Sequence, residues 1–203
     1  MQRDITGELP QPPGHLFSRA NYERMVQAGV FGAGDKVELL AGRIVQMSPQ
    51  GFLHARAVRR LQHLFETQCT GVADVYVQLP YPATADSMPE PDLYLTRLGA
   101  GEHHWPDHAL LIIEVADSSL GYDRAVKGPL YAAAQVPEYW IVDVVGKVVE
   151  VYRNPRGDHY GSMATLQSGE WLECAAVAGV KIAVESVLGE PVAERPGPHC
   201  QPA

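Results

Sequence analysis

The sequence has no long hydrophobic run, few cysteines and few basic residues, and each shortage argues against a class of protein. No apolar stretch approaches the roughly 20 residues of a transmembrane helix, and the polar, proline-rich residues 1–14 do not resemble a signal peptide. Cys69, Cys174 and Cys200 lie far apart without a CxxC pair, which argues against a disulfide framework, a zinc site or a redox dithiol. We therefore expect a soluble cytoplasmic protein with reduced thiols and no membrane contact.

Positive charge is also scarce, with 16 basic against 24 acidic residues and a formal net charge of −8. Proteins that bind nucleic acid mainly by neutralising phosphates usually carry a basic surface. Any contact with DNA must therefore be weak, or depend on bound divalent metal or on a local basic patch. The best candidates for phosphate contact are Arg56, Arg59 and Arg60, which fall on the outer side of a predicted helix.

The length of 203 residues and the 46% hydrophobic content fit one globular domain. We place this domain at residues 17–189. Residues 1–16 form a flexible leader in this interpretation. Residues 190–203 contain four prolines and no apolar periodicity, which predicts a disordered tail.

Hydrophobic periodicity predicts strands and helices in an order that is typical of a mixed sheet. Ser18 is a good N-cap for the first helix, and His54–Gln68 forms a clearer, amphipathic helix. Residues 157–173 look loop-like with one strand, and residues 179–189 end the fold as a strand or a short helix. The remaining segments are a hairpin at 36–48, strands at 74–81, 90–96 and 110–115, a mostly helical stretch at 118–135, and strands at 138–144 and 147–153. The predicted fold class is α/β, with helices flanking a central mixed β-sheet.

The segment LLIIEVADSS at residues 110–119 places Glu114 directly after four aliphatic residues. A buried, unpaired carboxylate costs several kcal/mol, so the strand either surfaces at Glu114 or holds a positive charge there. If the short strand at PEPDLYL pairs with it, Asp92 and Glu114 lie at the same end of adjacent strands. Two close carboxylates share a proton or bind a divalent cation, and oxygen ligands suit Mg²⁺ or Mn²⁺.

Asp123, Lys127 and Tyr131 recur at intervals of four, so a continuous helix presents them on one face. Lys127 could then point back over the strand that carries Glu114. An ammonium beside a metal-bound carboxylate pair can position or deprotonate a water and stabilise charge on a phosphoryl oxygen. The plainer interpretations are a surface pair between Asp123 and Lys127, and a Glu114 that is exposed or paired with an arginine.

Four stretches together resemble the Uma2 family over about residues 17–188. They are KVELLAGRIVQMSP followed by His54, PEPDLYL, LLIIEVADSS, and GYDRAVKGPLYAAAQVPEYWIVDV. Members of this family are classed with restriction endonucleases and are similar to the PD-(D/E)XK nuclease superfamily. The resemblance implies a restriction-endonuclease-like α/β/α fold with a central mixed sheet.

The resemblance also implies a site and a reaction. Asp92 and Glu114 become metal ligands, with Glu38 of the hairpin as a further acidic ligand. Ala116 stands where the superfamily has its lysine, and Lys127 supplies the ammonium instead. The implied reaction is hydrolysis of a DNA phosphodiester by a water that Mg²⁺ or Mn²⁺ activates. Three further residues are expected to hold the catalytic side chains in place without binding the metal: Asp123, His54 and Tyr131.

Gly128-Pro129 departs from the family pattern, because proline disrupts a helix interior at a cost of roughly 3 kcal/mol. Either the helix kinks there or its regular part begins at Pro129, which suits a first helical turn. Two other functions stay open: a catalytically inactive binding or assembly protein, and a metal-dependent hydrolase of small phosphate esters. A homodimer is a further expectation, since one site cuts one strand and two-fold pairing serves duplex cleavage.

Overall fold

The protein is represented by a computed structural model that describes residues 14–189. The predicted tail at residues 190–203 lies outside the described residues, as does the predicted leader apart from residues 14–16. Ten strands and five α-helices form within the described part of the chain. The strands are β1 (Val37–Leu40), β2 (Arg43–Gln46), β3 (Ala73–Val77), β4 (Leu93–Arg97), β5 (Ala109–Ala116), β6 (Glu138–Asp143), β7 (Val148–Arg156), β8 (His159–Gln167), β9 (Trp171–Glu173) and β10 (Lys181–Ala183). The helices are α1 (Arg19–Gln27), α2 (Phe52–Gln68), α3 (Leu120–Tyr122), α4 (Gly128–Ala133) and α5 (Val184–Leu188), with a π-helical turn at Asp123–Lys127 between α3 and α4.

Six strands form a mixed sheet in the order β3-β4-β5-β6-β7-β8. Strands β5 and β6 are parallel, and every other neighbouring pair is antiparallel. A parallel pair needs a long crossover connection, which α3, the π-turn and α4 provide here. The predicted mixed sheet with flanking helices is confirmed.

Each face of the sheet packs against a different helical layer. On one face, Leu111, Ile113 and Val115 of β5 join a core that includes Leu61 of α2 and Val187 of α5. On the other face, a second core gathers buried residues from β4, β5, β6 and α4: Tyr94, Ile112, Ala116, Tyr131, Tyr139 and Ile141. Because successive strand side chains alternate between faces, Glu114 points to the same side as Ile112 and Ala116. It therefore faces the layer that contains α4.

The hairpin β1–β2 attaches to the segment before β4 and thereby reaches the site. Leu39 forms an isolated antiparallel bridge with Met88, and the Glu90 N–H donates to Oε2 of Glu38 at 3.1 Å. The hairpin thus places Glu38 next to the residues that precede β4.

Ser18 caps α1 as predicted, because its side chain accepts a hydrogen bond from the N–H of Asn21.

The structure corrects the interpretation of residues 157–173 as largely loop. Residues 159–167 form the nine-residue strand β8, and β9 follows. Strand β8 lies at the edge of the sheet and is mostly exposed on both faces, with Met163 57% exposed. An edge strand that buries neither face shows little apolar alternation, which is why its sequence resembled a loop.

Candidate active site

Strand pairing brings Asp92 and Glu114 together. Leu93 pairs with Ile113 in antiparallel register, so Asp92, directly before β4, lies opposite Glu114. Both side chains are nearly buried, with Asp92 7% and Glu114 4% exposed. The structure therefore places the two acids at the same end of adjacent strands, as the sequence predicted.

One oxygen of Glu114 receives two hydrogen bonds from the helical crossover. Nζ of Lys127 lies 2.9 Å from Oε1, and the hydroxyl of Tyr131 donates to the same oxygen at 2.6 Å. Nζ of Lys127 also lies 3.7 Å from Oε2 of Glu38. Lys127 is itself buried at 7% exposure, so its ammonium joins acids from the hairpin and from β5.

A π-helical turn delivers Lys127 to this position. The N–H of Gly128 bonds to the carbonyl of Asp123, five residues earlier, so the turn contains one residue more than an α-helical turn. Pro129 then falls in the first turn of α4, where its missing N–H leaves no helical hydrogen bond broken. Of the two predicted alternatives, the structure agrees to within one residue with the regular helix that starts at Pro129, because α4 begins at Gly128 with Pro129 in its first turn, after the π-turn.

Burial and like charge oppose ionisation of Glu114. Burial raises its pKa to about 8, and the nearby Asp92 and Asp123 carboxylates also favour the proton, whereas Lys127 acts in the opposite direction. Burial alone would lower the pKa of Lys127, but Glu114 and Glu38 together hold it above the usual range, so the ammonium stays charged. The site therefore contains more acidic side chains than basic ones, and they surround the buried ammonium of Lys127.

Three donors hold the carboxylate of Asp92. Oδ2 accepts from the N–H of Val115 at 2.8 Å and lies 3.0 Å from Nε2 of His54, while Nε2 of Gln78 lies 3.2 Å from Oδ1. The other ring nitrogen of His54, Nδ1, is buried and has no hydrogen-bond partner within residues 14–189. His54 therefore contacts the site through Asp92.

Asp123 lies inside the protein rather than on its surface. It is 2% exposed, accepts a hydrogen bond from the Ser119 hydroxyl at 2.6 Å, and its backbone carbonyl accepts one from Tyr139 at 3.2 Å. The interpretation of Asp123 and Lys127 as a surface pair is wrong, because the π-turn packs both residues against the sheet. Burial raises the pKa of Asp123, and the Ser119 hydrogen bond opposes that shift.

A cavity of about 400 Å³ opens onto these residues. Six carboxylates line it, together with Lys127 and His54: Glu38, Glu90, Asp92, Glu114, Asp117 and Asp123. Sequence reasoning missed Glu90, although it stands two residues before Asp92 in PEPD. Burial raises the pKa of Glu90, and the neighbouring Glu38 raises it further.

The three arginines of α2 do not line the cavity. The guanidinium of Arg60 donates to the carbonyl of Val187 at 3.3 Å, and that of Arg56 lies 5.8 Å from the ring centre of Phe52. Arg59 is exposed. The local basic patch therefore lies on another part of α2, outside the acidic cavity.

Two features are absent from residues 14–189. No three His, Cys, Asp or Glu side chains converge closely enough to enclose a metal ion by themselves. No helix in this part of the chain is long and apolar enough to cross a membrane.

Comparison with known proteins identifies the family and the fold. A sequence model of the family described as "Uma2: Putative restriction endonuclease" matches residues 19–185. No curated protein matches the chain. Among solved structures, a protein of Anabaena variabilis ATCC 29413 described as "a putative nuclease belonging to DUF820" is 12% identical, with a TM-score of 0.67. The alignment covers 85% of this chain and 97% of that one.

At that identity the structural likeness concerns the fold, and it confirms the restriction-endonuclease-like arrangement that the resemblance implied. The family match spans residues 19–185, which include Glu38 of the hairpin and Tyr131 of α4. The segment therefore contains every acid that lines the cavity. Since this match covers most of the chain, the protein belongs to the Uma2 family.

Proposed function

We propose that this protein is a metal-dependent DNA endonuclease in which Asp92, Glu114 and Lys127 carry the reaction. Membership of a family described as restriction endonucleases supports a nuclease. The observation that carries the proposal is the contact of a buried ammonium with a buried acid: Lys127 lies 2.9 Å from Glu114, which stands opposite Asp92. A purely structural ion pair does not need a second acid and an open cavity beside it.

The residues fit Mg²⁺ or Mn²⁺ held by few protein ligands. Magnesium keeps several waters and commonly uses one or two carboxylates together with substrate phosphate oxygens. Asp92 and Glu114 would provide these carboxylates, so a complete protein cage is not required. Glu38 would become a further ligand only if its side chain moved toward the ion, since no three such side chains converge within residues 14–189. When bound, the ion would lower the pKa of an attacking water and offset the negative charge that meets the phosphodiester.

The chain's own groups would prepare this arrangement. Lys127 and Tyr131 both bond to Oε1 of Glu114, which fixes the carboxylate and leaves Oε2 available to a ligand. His54 and the N–H of Val115 hold Oδ2 of Asp92, and Gln78 donates to Oδ1 at 3.2 Å, a bond that a ligand on that oxygen would share or replace. The ammonium of Lys127 would then donate a hydrogen bond to the attacking water or to a phosphoryl oxygen, where negative charge develops.

Incubation of supercoiled plasmid with the purified protein tests this function. We expect nicking with Mg²⁺ or Mn²⁺ and none with EDTA. Asp92→Asn and Glu114→Gln should each reduce the nicking rate by at least 100-fold, while the exposed Asp158→Asn serves as a matched control. Nicking that is independent of metal, or an Asp92→Asn variant as active as the wild type, would contradict the proposal.

The acidity of the cavity favours a second candidate, a catalytically inactive protein that uses the fold for binding or assembly. Six carboxylates face one lysine and one histidine, which repels a polyanion unless cations are bound. Titration calorimetry with Mn²⁺ separates the two functions. Heat of binding that disappears in Glu114→Gln supports the nuclease, whereas no binding at millimolar Mn²⁺ supports the inactive scaffold.

The acidic cavity should repel a small phosphate ester less strongly than it repels the polyanionic backbone of DNA, which favours a third candidate function. Turnover of a chromogenic phosphodiester, with plasmid left intact, would select that third function.

The expected homodimer concerns the duplex reaction, because cutting both strands at one place needs two sites. Light scattering coupled to size exclusion measures the mass directly, and a value near 22.2 kDa would exclude the dimer.

A further inference from the structure

An exposed aromatic ring stands in the wall of the acidic cavity. Tyr122 lines the cavity together with Glu114 and Lys127, and it is 41% exposed. It is the last residue of α3, directly before the π-turn that carries Lys127. The reaction proposed above does not use this ring.

A second exposed ring follows another residue of the cavity wall. Gly51 lines the cavity as the N-cap of α2, and Phe52, the first residue of that helix, is 78% exposed. The guanidinium of Arg56 lies 5.8 Å from the Phe52 ring centre, which is a cation–π distance. An exposed ring with an arginine over it can offer a stacking surface to a base and a positive charge to its phosphate.

The acids themselves are recessed. Asp92 and Glu114 are 7% and 4% exposed, so a phosphodiester must enter the cavity to reach them. Of the cavity-lining residues, only Lys127 and His54 are basic, so the wall offers no row of cations to follow a duplex backbone. In a duplex the bases are also stacked inside the helix, where neither the Tyr122 ring in the cavity wall nor the Phe52 ring next to the lining residue Gly51 can reach their faces. An unpaired strand offers both a flexible backbone and accessible bases.

We propose that the substrate is an unpaired stretch of DNA, with one base stacked on Tyr122 and a neighbouring base on Phe52 beside Arg56. This inference rests on the proposed nuclease function for the reaction but concerns which DNA the cavity accepts. Aromatic platforms combined with arginine are the usual means of binding single strands with little sequence preference. The two rings would hold the bases outside while the phosphodiester between them bends toward Glu114.

Fluorescence anisotropy measures the preference without cleavage. The probe is a fluorescein-labelled 20-nucleotide DNA, alone or annealed to its complement, titrated with full-length Asp92→Asn protein in Mg²⁺. We expect the single strand to bind at least 10-fold more tightly than the duplex. On this background Tyr122→Ala and Phe52→Ala should each weaken single-strand binding about 5- to 150-fold, the range of base–aromatic stacking, while Tyr122→Phe keeps it.

Trp171→Ala provides the control, because Trp171 is an exposed aromatic on β9, is 54% exposed and does not line the cavity. Equal binding of duplex and single strand, or a Tyr122→Ala loss no larger than that of Trp171→Ala, would overturn the inference. Wild-type cleavage of both DNA forms is measured separately. Cleavage that favours the duplex leaves the nuclease intact and refutes the single-strand preference, whereas ring-dependent binding without cleavage supports the platform and refutes the nuclease.

Discussion

Replacing Lys127 with methionine removes the buried ammonium that contacts the two buried acids Glu114 and Glu38. Methionine preserves most of the aliphatic stem, so the change acts mainly on charge. In the wild type, Nζ lies 2.9 Å from Glu114 and 3.7 Å from Glu38. Removing one partner of a buried pair costs about 3–5 kcal/mol of unfolding free energy when the other partner stays ionised.

The loss should depend on pH, because Glu114 can escape the penalty by taking up a proton. Its pKa in the folded protein is about 8, against a usual value of 4.5, so the folded state binds the proton more tightly and stability falls as pH rises from 4.5 through 8. Without Lys127 the pKa rises further and the fall extends to higher pH. We expect a loss of about 1–2 kcal/mol at pH 6, where Glu114 is protonated in both proteins, and up to about 1.4 kcal/mol more at pH 9, one pH unit above the wild-type pKa.

Urea unfolding at pH 6 and pH 9, followed by the fluorescence of the buried Trp140, measures both values. Lys147→Met is the control, because Lys147 is exposed and should change stability by no more than about 0.5 kcal/mol. A Lys127→Met variant with wild-type stability at pH 9, or with the same loss at both pH values, would refute this electrostatic argument.

Other consequences can be measured on the same protein. Tyr131→Phe, which removes the hydroxyl that donates to Glu114, should weaken Mn²⁺ binding or metal-dependent nicking by about 10- to 100-fold, and unchanged calorimetric affinity and activity would contradict that role. Mn²⁺ affinity should rise by up to about tenfold per pH unit between pH 6 and 8, since the metal must displace the proton that the raised pKa of Glu114 retains; calorimetry in buffers of different ionisation heat would detect that proton. Leu61→Ala, in the core between α2 and the sheet, should cost about 2–5 kcal/mol in urea unfolding, and a smaller loss would show that the cavity collapses.

Periodicity and register were enough to predict much of the fold and the meeting of the acids. The aliphatic run before Glu114 specified a strand that is buried on both faces. Its pairing with the strand after Asp92 then placed the two acids at one end of the sheet. These features depend on local sequence and on the alternation of strand side chains between two faces, and both can be read from a single sequence.

Features that depend on long-range packing were not predictable in the same way. The π-turn adds one residue to the crossover, and neither the i, i+4 spacing nor Gly128-Pro129 specifies it. The partner of His54 lies 38 residues away at Asp92, and the contact of Glu90 with Glu38 joins residues 52 positions apart. Residues 157–173 were predicted to be loop-like with one strand, and the length of β8 was not predictable because an edge strand need not alternate.

The central claim is that Asp92 and Glu114 hold one divalent ion beside the ammonium of Lys127. Anomalous diffraction from crystals soaked in Mn²⁺ tests it most directly. We expect an anomalous peak within about 2.0–2.4 Å of a carboxylate oxygen from each acid, in keeping with hard-cation coordination distances, with Lys127 in contact with the same cavity. Crystals that bind Mn²⁺ only elsewhere, with Asp92 still bonded to His54 and Glu114 still bonded to Lys127, would contradict this prediction.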